Sequence, residues 1–143
     1  MKILALFDCE QAIEKLERDF KSPAFELTVV NTVFLALQYL QQDTPDVILC
    51  QMHLQDESTF DLIKLLPNHP KSSKVPVVGC FTGNSVLGKS LECSLEQALK
   101  CFGYQKCLRS ETFYSYFLKN EVVDATRRVH ADSRLVQRAV RQA

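Results

Sequence analysis

Apolar and polar positions follow two different patterns along this chain. Five short runs are almost wholly apolar, which is typical of strands that are buried on both faces of a sheet. Between them, apolar residues recur every three to four positions, which is typical of helices with one buried face. The predicted strands are residues 2–7, 25–30, 47–50, 75–81 and 106–108.

The segments between and after these strands predict five helices. Asn31 or Thr32 can cap the second helix and Ser58 the third, and Gly103 is a natural stop for the fourth. The last helix starts at Ser110 or Thr112. The apolar stripes are, in chain order, Ile13, Leu16 and Phe20 (with Glu14, Lys15, Glu17 and Arg18 off the face); Val33, Leu37 and Leu40; Phe60, Ile63 and Leu66; Leu95, Ala98, Leu99 and Phe102; and Phe113 with Phe117.

Strand and helix therefore alternate five times with short connections. This order predicts an α/β fold with a doubly wound, five-stranded parallel sheet of the flavodoxin-like type, with helices on both faces. In such sheets a functional site lies at the carboxyl ends of the strands. Those ends are residues 7–10, 51–54, 81–83 and 109–111.

Length and charge exclude several classes of protein. The 143 residues suit one domain with its own core. The formal net charge is zero, which argues against a nucleic-acid binder, because such proteins carry a surplus of cations. No apolar run approaches the roughly 20 residues that span a bilayer. The N-terminal segment meets Asp8 and Glu10 without a cleavage site, so we interpret it as a strand and expect a cytoplasmic protein.

The six cysteines do not form a recognisable site. No C-x-x-C pair exists, and His53, His69 and His130 stand at no zinc-finger spacing from a cysteine. Cys50, Cys80 and Cys107 lie in or beside predicted strands. We expect these thiols to be buried and to behave as small apolar groups, with no disulfide and no metal.

Short sequence segments, taken together with this order of elements, resemble the receiver domain of two-component response regulators. The resemblance covers about residues 2–120. It rests on Thr44-Pro45-Asp46-Val47-Ile48-Leu49 at the third strand, on residues 56–62 after it, on Val75-Pro76-Val77-Val78 at the fourth strand, and on Ala98-Leu99 with Gly103 before the fifth.

The resemblance also implies which positions would carry phosphorylation chemistry. Such receivers hold Mg²⁺ with an acidic pair, phosphorylate an aspartate, and contact the phosphoryl group with a hydroxyl and a lysine. The acidic pair aligns with Phe7 and Asp8, the acceptor with Gln51, the hydroxyl with Phe81 or Thr82, and the lysine with Ser110.

These substitutions predict a degenerate receiver, or pseudo-receiver. An amide cannot form an acyl phosphate, and Asp8 with Glu10 offers few of the oxygen ligands that Mg²⁺ requires. Without the lysine, a phosphoryl group would lose its main counter-charge. We therefore expect no enzymatic activity, no cofactor and no metal, and a role in signal transduction through contact with protein partners.

The resemblance implies a contact face built from residues 91–102, 106–110 and 112–118. Its candidate contact residues here are Lys106, Arg109, Tyr114 and Tyr116. Phe113 and Phe117 lie one helical turn apart, so they are expected in the core, with the two tyrosines pointing away. Exposed aromatic side chains are common contact anchors. The alternative is that both tyrosines pack at the edge of the domain.

Two other functions compete with this interpretation. Residues 83–90 match the phosphate-binding pattern G-x-x-x-x-G-K-[ST], with Gly83, Gly88, Lys89 and Ser90 at its fixed positions, and would make the chain a nucleotide-binding switch. The alternative for this segment is an ordinary loop. The other candidate is a phosphorylatable receiver whose acceptor has shifted to Asp56 or Asp61.

Residues 121–143 form a basic extension after the receiver-like domain, which we place at residues 1–120. Val122, Val129 and Val136 are spaced by seven, a weak heptad, and five arginines follow Ala125. The segment can extend the last helix and pair with a second copy or a partner helix, link to another domain, or bind an acidic surface or nucleic acid. The first interpretation is favoured, and it includes a homodimer formed through the last helices.

Overall fold

The computed structural model describes residues 1–83, 94, 96–98, 100–101 and 106–142. The strands are β1 (Lys2–Leu6), β2 (Glu26–Val30), β3 (Val47–Gln51), β4 (Val77–Cys80) and β5 (Lys106–Leu108). The helices are α1 (Glu10–Asp19), α2 (Val33–Gln42), α3 (Thr59–Leu65), a 3-10 turn (Leu66–Asn68), α4 (Ser110–Phe113) and α5 (Leu118–Gln142).

All five strands form one parallel sheet in the order β2-β1-β3-β4-β5. The chain winds outward from β1 to the β2 edge and then returns past β1 to β3. The winding therefore reverses between β1 and β3, which pair with Leu6 opposite Cys50. A reversal of this kind leaves a crevice at the carboxyl ends of the two strands. The predicted doubly wound sheet is confirmed.

The two faces of the sheet bury separate apolar clusters. Alternate β1 residues divide between them, because successive side chains of a strand point to opposite faces. Ile3 and Ala5 pack in one cluster with α1, α4 and the start of α5. Leu4 and Leu6 pack in the other with α2 and α3. This two-sided burial explains why the strand sequences are continuously apolar.

The second helix is fixed by hydrogen bonds at its N-terminus. Thr32 is the cap, as predicted, and its Oγ1 accepts a hydrogen bond from the Leu35 N–H at 3.1 Å. The Glu57 carboxylate accepts a second one from the Val33 N–H at 3.0 Å. A negative charge is favourable at this end of a helix. Glu57 lies in the β3–α3 loop, so this contact also ties that loop to α2.

Three sequence predictions are corrected by packing. Lys15 is buried, because its Nζ pairs with Asp19 and donates to the Ser115 carbonyl at 3.1 Å. Ala98 is exposed, whereas Leu95, Leu99 and Phe102 of the same predicted stripe lie outside the described residues. The fourth strand begins at Val77 and not at residue 75, because Pro76 has no N–H for a ladder.

The last helix is interrupted, which corrects the prediction for Phe117. The chain leaves helical geometry at residues 114–117, where the Ser115 hydroxyl donates to the Thr112 carbonyl at 2.7 Å and accepts from the Phe117 N–H at 3.2 Å. Such local bonds compete with helical ones. The helix resumes at Leu118, which is fully buried, and Phe117 is left 65% exposed.

The predicted boundary at residues 120 and 121 falls inside α5, which runs without a break from Leu118 to Gln142. Val122 and Ala125 are buried in the same cluster as Leu118. The core therefore extends at least to Ala125. None of the described helices combines the length and the hydrophobicity that a membrane span requires.

The burial of Phe113 gives a test of the packing. Phe113→Ala is expected to lower the free energy of unfolding by about 3–5 kcal/mol, because it removes a fully buried ring. Tyr116→Ala, three residues away and fully exposed, should change it by less than about 0.5 kcal/mol. Urea unfolding followed by circular dichroism measures both. Equal effects of the two substitutions would contradict the placement of Phe113.

The buried thiols give a second test. Cys50 and Cys80 are fully buried, and burial raises the pKa of Cys50 to about 12 and that of Cys80 well above its ordinary value of 9.0. Because thiolates react and thiols do not, iodoacetamide at mild pH should modify the exposed Cys101 in the folded protein. Cys50 and Cys80 should react only after unfolding.

The same shifts fix the sign of the alkaline pH dependence. The folded-state pKa of both thiols lies above the unfolded-state value, so the unfolded chain releases protons first. Their contribution to stability is present below about pH 9 and is lost as the pH rises from there toward 12. The urea midpoint of the wild-type protein should fall as the pH rises across this range. The midpoint of Cys50→Ala, compared with its own value at neutral pH, should fall by less.

Candidate functional site

The reversal of winding brings Asp8 and Gln51 together. Gln51 is the last residue of β3, and Asp8 lies two residues beyond the end of β1. Because β1 and β3 are paired in parallel, their carboxyl ends lie side by side. Gln51 is 4% exposed and Asp8 is half-buried. These two residues form the centre of the candidate site.

The Gln51 side chain uses its whole hydrogen-bonding capacity inside this site. Its Oε1 accepts from the backbone N–H groups of Asp8 and Cys9, both at 3.1 Å. Its Nε2 donates to the Asp8 Oδ1 and to the His53 carbonyl, the latter at 2.6 Å. A primary amide has two N–H donors and one acceptor oxygen, and all of them are satisfied here.

The loop after β3 closes around this amide. The second carboxylate oxygen of Asp8, Oδ2, accepts from the Gln55 N–H at 2.6 Å. The Thr59 hydroxyl, which is buried, donates to the Gln51 carbonyl at 2.6 Å. Hydrogen bonds to a charged carboxylate are stronger than those between neutral groups. The network therefore ties the β1 end, the β3 end and the β3–α3 loop into one unit.

Phe7 and Ser110 make the remainder of this edge apolar or uncharged. Phe7 is fully buried and its ring stacks on Phe113, with centroids 5.6 Å apart. Ser110, the first residue of α4, is buried, and its carbonyl accepts from the Tyr114 N–H at 3.0 Å. The two positions that the resemblance assigns to an acid and to a lysine are thus occupied by core residues without charge.

The end of β4 presents an apolar residue and then a half-buried threonine. Phe81 is 8% exposed and packs with Met52 and Ile63. Thr82 follows it, and the Tyr114 hydroxyl lies 3.5 Å from the Thr82 carbonyl. Burial, together with the neighbouring Cys9, raises the pKa of Tyr114. Phe81 and Thr82 are the two candidates for the hydroxyl position. Phe81 lies in the core, and Thr82 is half-buried.

The residues present do not fit a Mg²⁺ ion. The oxygens that converge at the site are the Asp8 carboxylate and the His53 carbonyl, and both are engaged by the N–H groups of Gln51. Phe7 offers no ligand. Glu10, the second carboxylate considered, is exposed at the start of α1. Within residues 1–83 and the described parts beyond them, no group of three or more metal-ligating side chains occurs.

The predicted contact residues behave differently from one another. Arg109 is exposed, with its guanidinium 3.5 Å from the Glu96 carboxylate. Tyr116 is fully exposed, as expected. Tyr114 is half-buried against the Phe113 ring, with centroids 5.0 Å apart, so the expectation that it points away is wrong. Its position in the turn after α4 keeps it on the core. Lys106 starts β5.

The residues of the two alternative sites are exposed or lie outside the described residues. Gly83 is exposed, whereas Gly88, Lys89 and Ser90 lie outside the described residues. Asp56 is in the β3–α3 loop and Asp61 is in the first turn of α3, and both are exposed. Both aspartates therefore lie beyond the carboxyl end of β3.

Asp8 and Gln51 are recognisable from the sequence as neighbours at the sheet edge, whereas their backbone partners are not. The N–H groups of Cys9 and Gln55 and the carbonyl of His53 carry no signal in a sequence, because every residue has them. Thr59 was also missed. Its signal is weak: a threonine one residue after the Ser58 cap is ordinary in a helix start.

Comparison with known proteins supports the fold. No family model matches this chain, and no curated protein does. Solved structures do match over most of its length. A signal receiver domain from Vibrio parahaemolyticus has a TM-score of 0.72 at 18% identity, over 94% of this chain and 95% of that one. The receiver domain of Francisella response regulator 1452 has a TM-score of 0.66 at 20% identity, over 89% and 97%.

A chemotaxis response regulator of Vibrio cholerae, CheY4, gives a TM-score of 0.61 at 17% identity, with 90% of this chain and 97% of that chain covered. The class defined by this likeness is the receiver fold: a five-stranded parallel sheet with flanking helices, here followed by a long C-terminal helix. At these identities the likeness establishes the fold and leaves activity to be argued from the residues.

The Gln51 network gives a third test. Gln51→Ala is expected to lower the free energy of unfolding by about 1–3 kcal/mol, because it leaves partly buried N–H groups and a carbonyl without this partner. Gln55→Ala is the matched control, since only the backbone of Gln55 contacts Asp8 and its side chain is exposed. Its effect should stay below about 0.5 kcal/mol. Denaturant unfolding decides, and a silent Gln51→Ala would contradict the network.

Proposed function

We propose that this chain is a cytoplasmic signalling module with the receiver fold that is not phosphorylated, has no catalytic activity, and acts through contact with protein partners. The proposal of signalling rests on the likeness to receiver domains of response regulators. The proposal that phosphorylation is absent rests on the chain's own residues, above all on Gln51.

The observation that carries the proposal is the position of the Gln51 amide nitrogen. It lies between the Asp8 carboxylate and the His53 carbonyl and donates to both. Those oxygens would otherwise be available to a cation. The amide carries no charge and so does not neutralise the Asp8 carboxylate. Its two N–H groups nevertheless satisfy both oxygen acceptors without a metal. Hydrogen bonds within the protein thereby hold the pocket in one conformation. Gln51 has no carboxylate to accept a phosphoryl group, and Ser110 has no positive charge to balance one.

Exposed aromatic side chains favour contact as the mode of action. Tyr116 is fully exposed and Phe117 is 65% exposed, next to each other in the turn between α4 and α5. Aromatic residues are over-represented among those that dominate binding energy at interfaces. The proposed contact face therefore includes Tyr116 and Phe117 in place of Tyr114, together with Arg109.

Phosphotransfer and metal binding test the proposal directly. Incubation with acetyl phosphate and Mg²⁺ should leave the intact mass of the wild-type chain unchanged. Wild-type amide chemical shifts should not respond saturably to Mg²⁺ or beryllofluoride. Modification mapped to Asp56 or Asp61 would overturn the proposal and support the shifted acceptor.

A matched pair of variants sharpens the metal test. Q51D removes the amide and places a second carboxylate beside Asp8 and the His53 carbonyl, so it should gain saturable Mg²⁺-dependent shifts at these residues. Q55D adds the same charge to an exposed side chain and should not. Equal responses of the two variants would mean that the Gln51 amide is not what keeps a cation out.

Titration with ATP tests the nucleotide alternative, which rests on the pattern at residues 83–90. Saturable shifts centred on that segment, lost in Lys89→Ala, would replace the contact-only proposal. The absence of such shifts would remove the alternative.

A further inference from the structure

The charge of this chain is segregated along its length. Residues 127–142 contain five arginines and one acidic residue, Asp132. Residues 1–126 contain 12 basic and 16 acidic residues. The net charge of zero is therefore the sum of a basic helix end and an acidic body of equal and opposite charge, about four units each by this count. Such an asymmetry favours association between the two parts.

The basic part is the end of α5 that lies beyond the core. Thr126 is the last residue of this helix described as buried, and the described side chains that follow it are exposed, including Val140 at 71%. The helix has 25 residues, which corresponds to a length of about 37 Å at 1.5 Å per residue. Arg127, Arg138 and Arg141 are exposed and share one face, at i, i+11 and i+14.

A complementary acidic stripe lies on α1. Glu10, Glu14 and Glu17 are exposed and share one face of that helix, at i, i+4 and i+7. None of these three carboxylates pairs with a cation among the described residues. The arginines at positions 127, 128, 138 and 141 likewise have no carboxylate partner there. Two unpaired stripes of opposite charge thus lie on one chain.

Among the described residues, no ion pair joins the two stripes within one chain. The α5 helix is continuous, and its exposed end begins only after the buried residues Leu118, Val122 and Ala125, which share a core cluster with α1. A second copy can pair both stripes, since the basic end of each chain can lie against the acidic stripe of the other. Reciprocal contacts of this kind are what a two-fold symmetric dimer provides.

We propose that the chain forms a two-fold homodimer in which the C-terminal end of α5 of each copy lies across α1 of the other. The inference deepens the proposed function, on whose contact-based action it rests, by naming a second copy as one partner. It does not depend on the chemistry at Gln51. Failure of the dimer would leave the phosphotransfer result standing, and the reverse also holds.

Sedimentation equilibrium of the full chain measures the dimer dissociation constant. Because exposed ion pairs are screened by salt, the dimer should form at about 0.05 M salt and weaken at about 0.5 M. Arg138→Glu with Arg141→Glu should raise the dissociation constant about tenfold or more, and so should Glu14→Lys with Glu17→Lys. Lys71→Glu with Lys74→Glu makes the same charge change on exposed loop residues and should have no comparable effect.

Mixing the two reversed variants gives the decisive measurement. In a mixed dimer one contact pairs lysines with glutamates and the other keeps the native pairing, so association should return to the wild-type level. A wild-type chain that stays monomeric at low salt would overturn the proposal and leave an acidic partner protein as the occupant. A dimer that is lost on changing α5 but not α1 would also overturn it and favour pairing between the two α5 helices.

Discussion

The contact between the Gln51 amide and the ends of β1 and β3 is the constraint on which the edge of this sheet depends. Asp8 is a half-buried charge, and a carboxylate in that position needs donors. Gln51 and the Gln55 N–H supply them, and the same amide accepts from the backbone after β1. Hydrogen bonds within the protein therefore fix the loop from β3 to α3, and its conformation does not depend on a bound ion.

Apolar packing positions this edge from below. Phe7, at the position that the resemblance to receivers assigns to a second acidic residue, stacks on Phe113 in the core. The same ring contact holds α4 against the core. The turn at residues 114–117 then sets which side chains of α5 face the core. Leu118, Val122 and Ala125 then continue the core, whereas Phe117 is left outside it. A single interruption thus converts a predicted core residue into surface.

Exposed aromatic rings and exposed charges are the features that the proposed contacts with other molecules rest on. Tyr116 and Phe117 expose aromatic surface, and α5 carries its arginines past the end of the core. A network satisfied within the protein and exposed charges without partners among the described residues are the two observations behind the proposed action by contact.

The sequence by itself determined the alternation of elements, the parallel sheet and the presence of an amide and not a carboxylate at the end of the third strand, because apolar periodicity and residue type are local properties. It did not determine the burial of Lys15, the exposure of Phe117 or the satisfaction of the Gln51 amide. The burial of Lys15 and the satisfaction of the Gln51 amide depend on groups distant in the chain, the Ser115 carbonyl and the end of β1. The exposure of Phe117 depends on local bonds of the Ser115 hydroxyl that compete with the helix. Only the tertiary structure brings such partners together, and hydrogen bonds to the backbone leave no trace in residue identity.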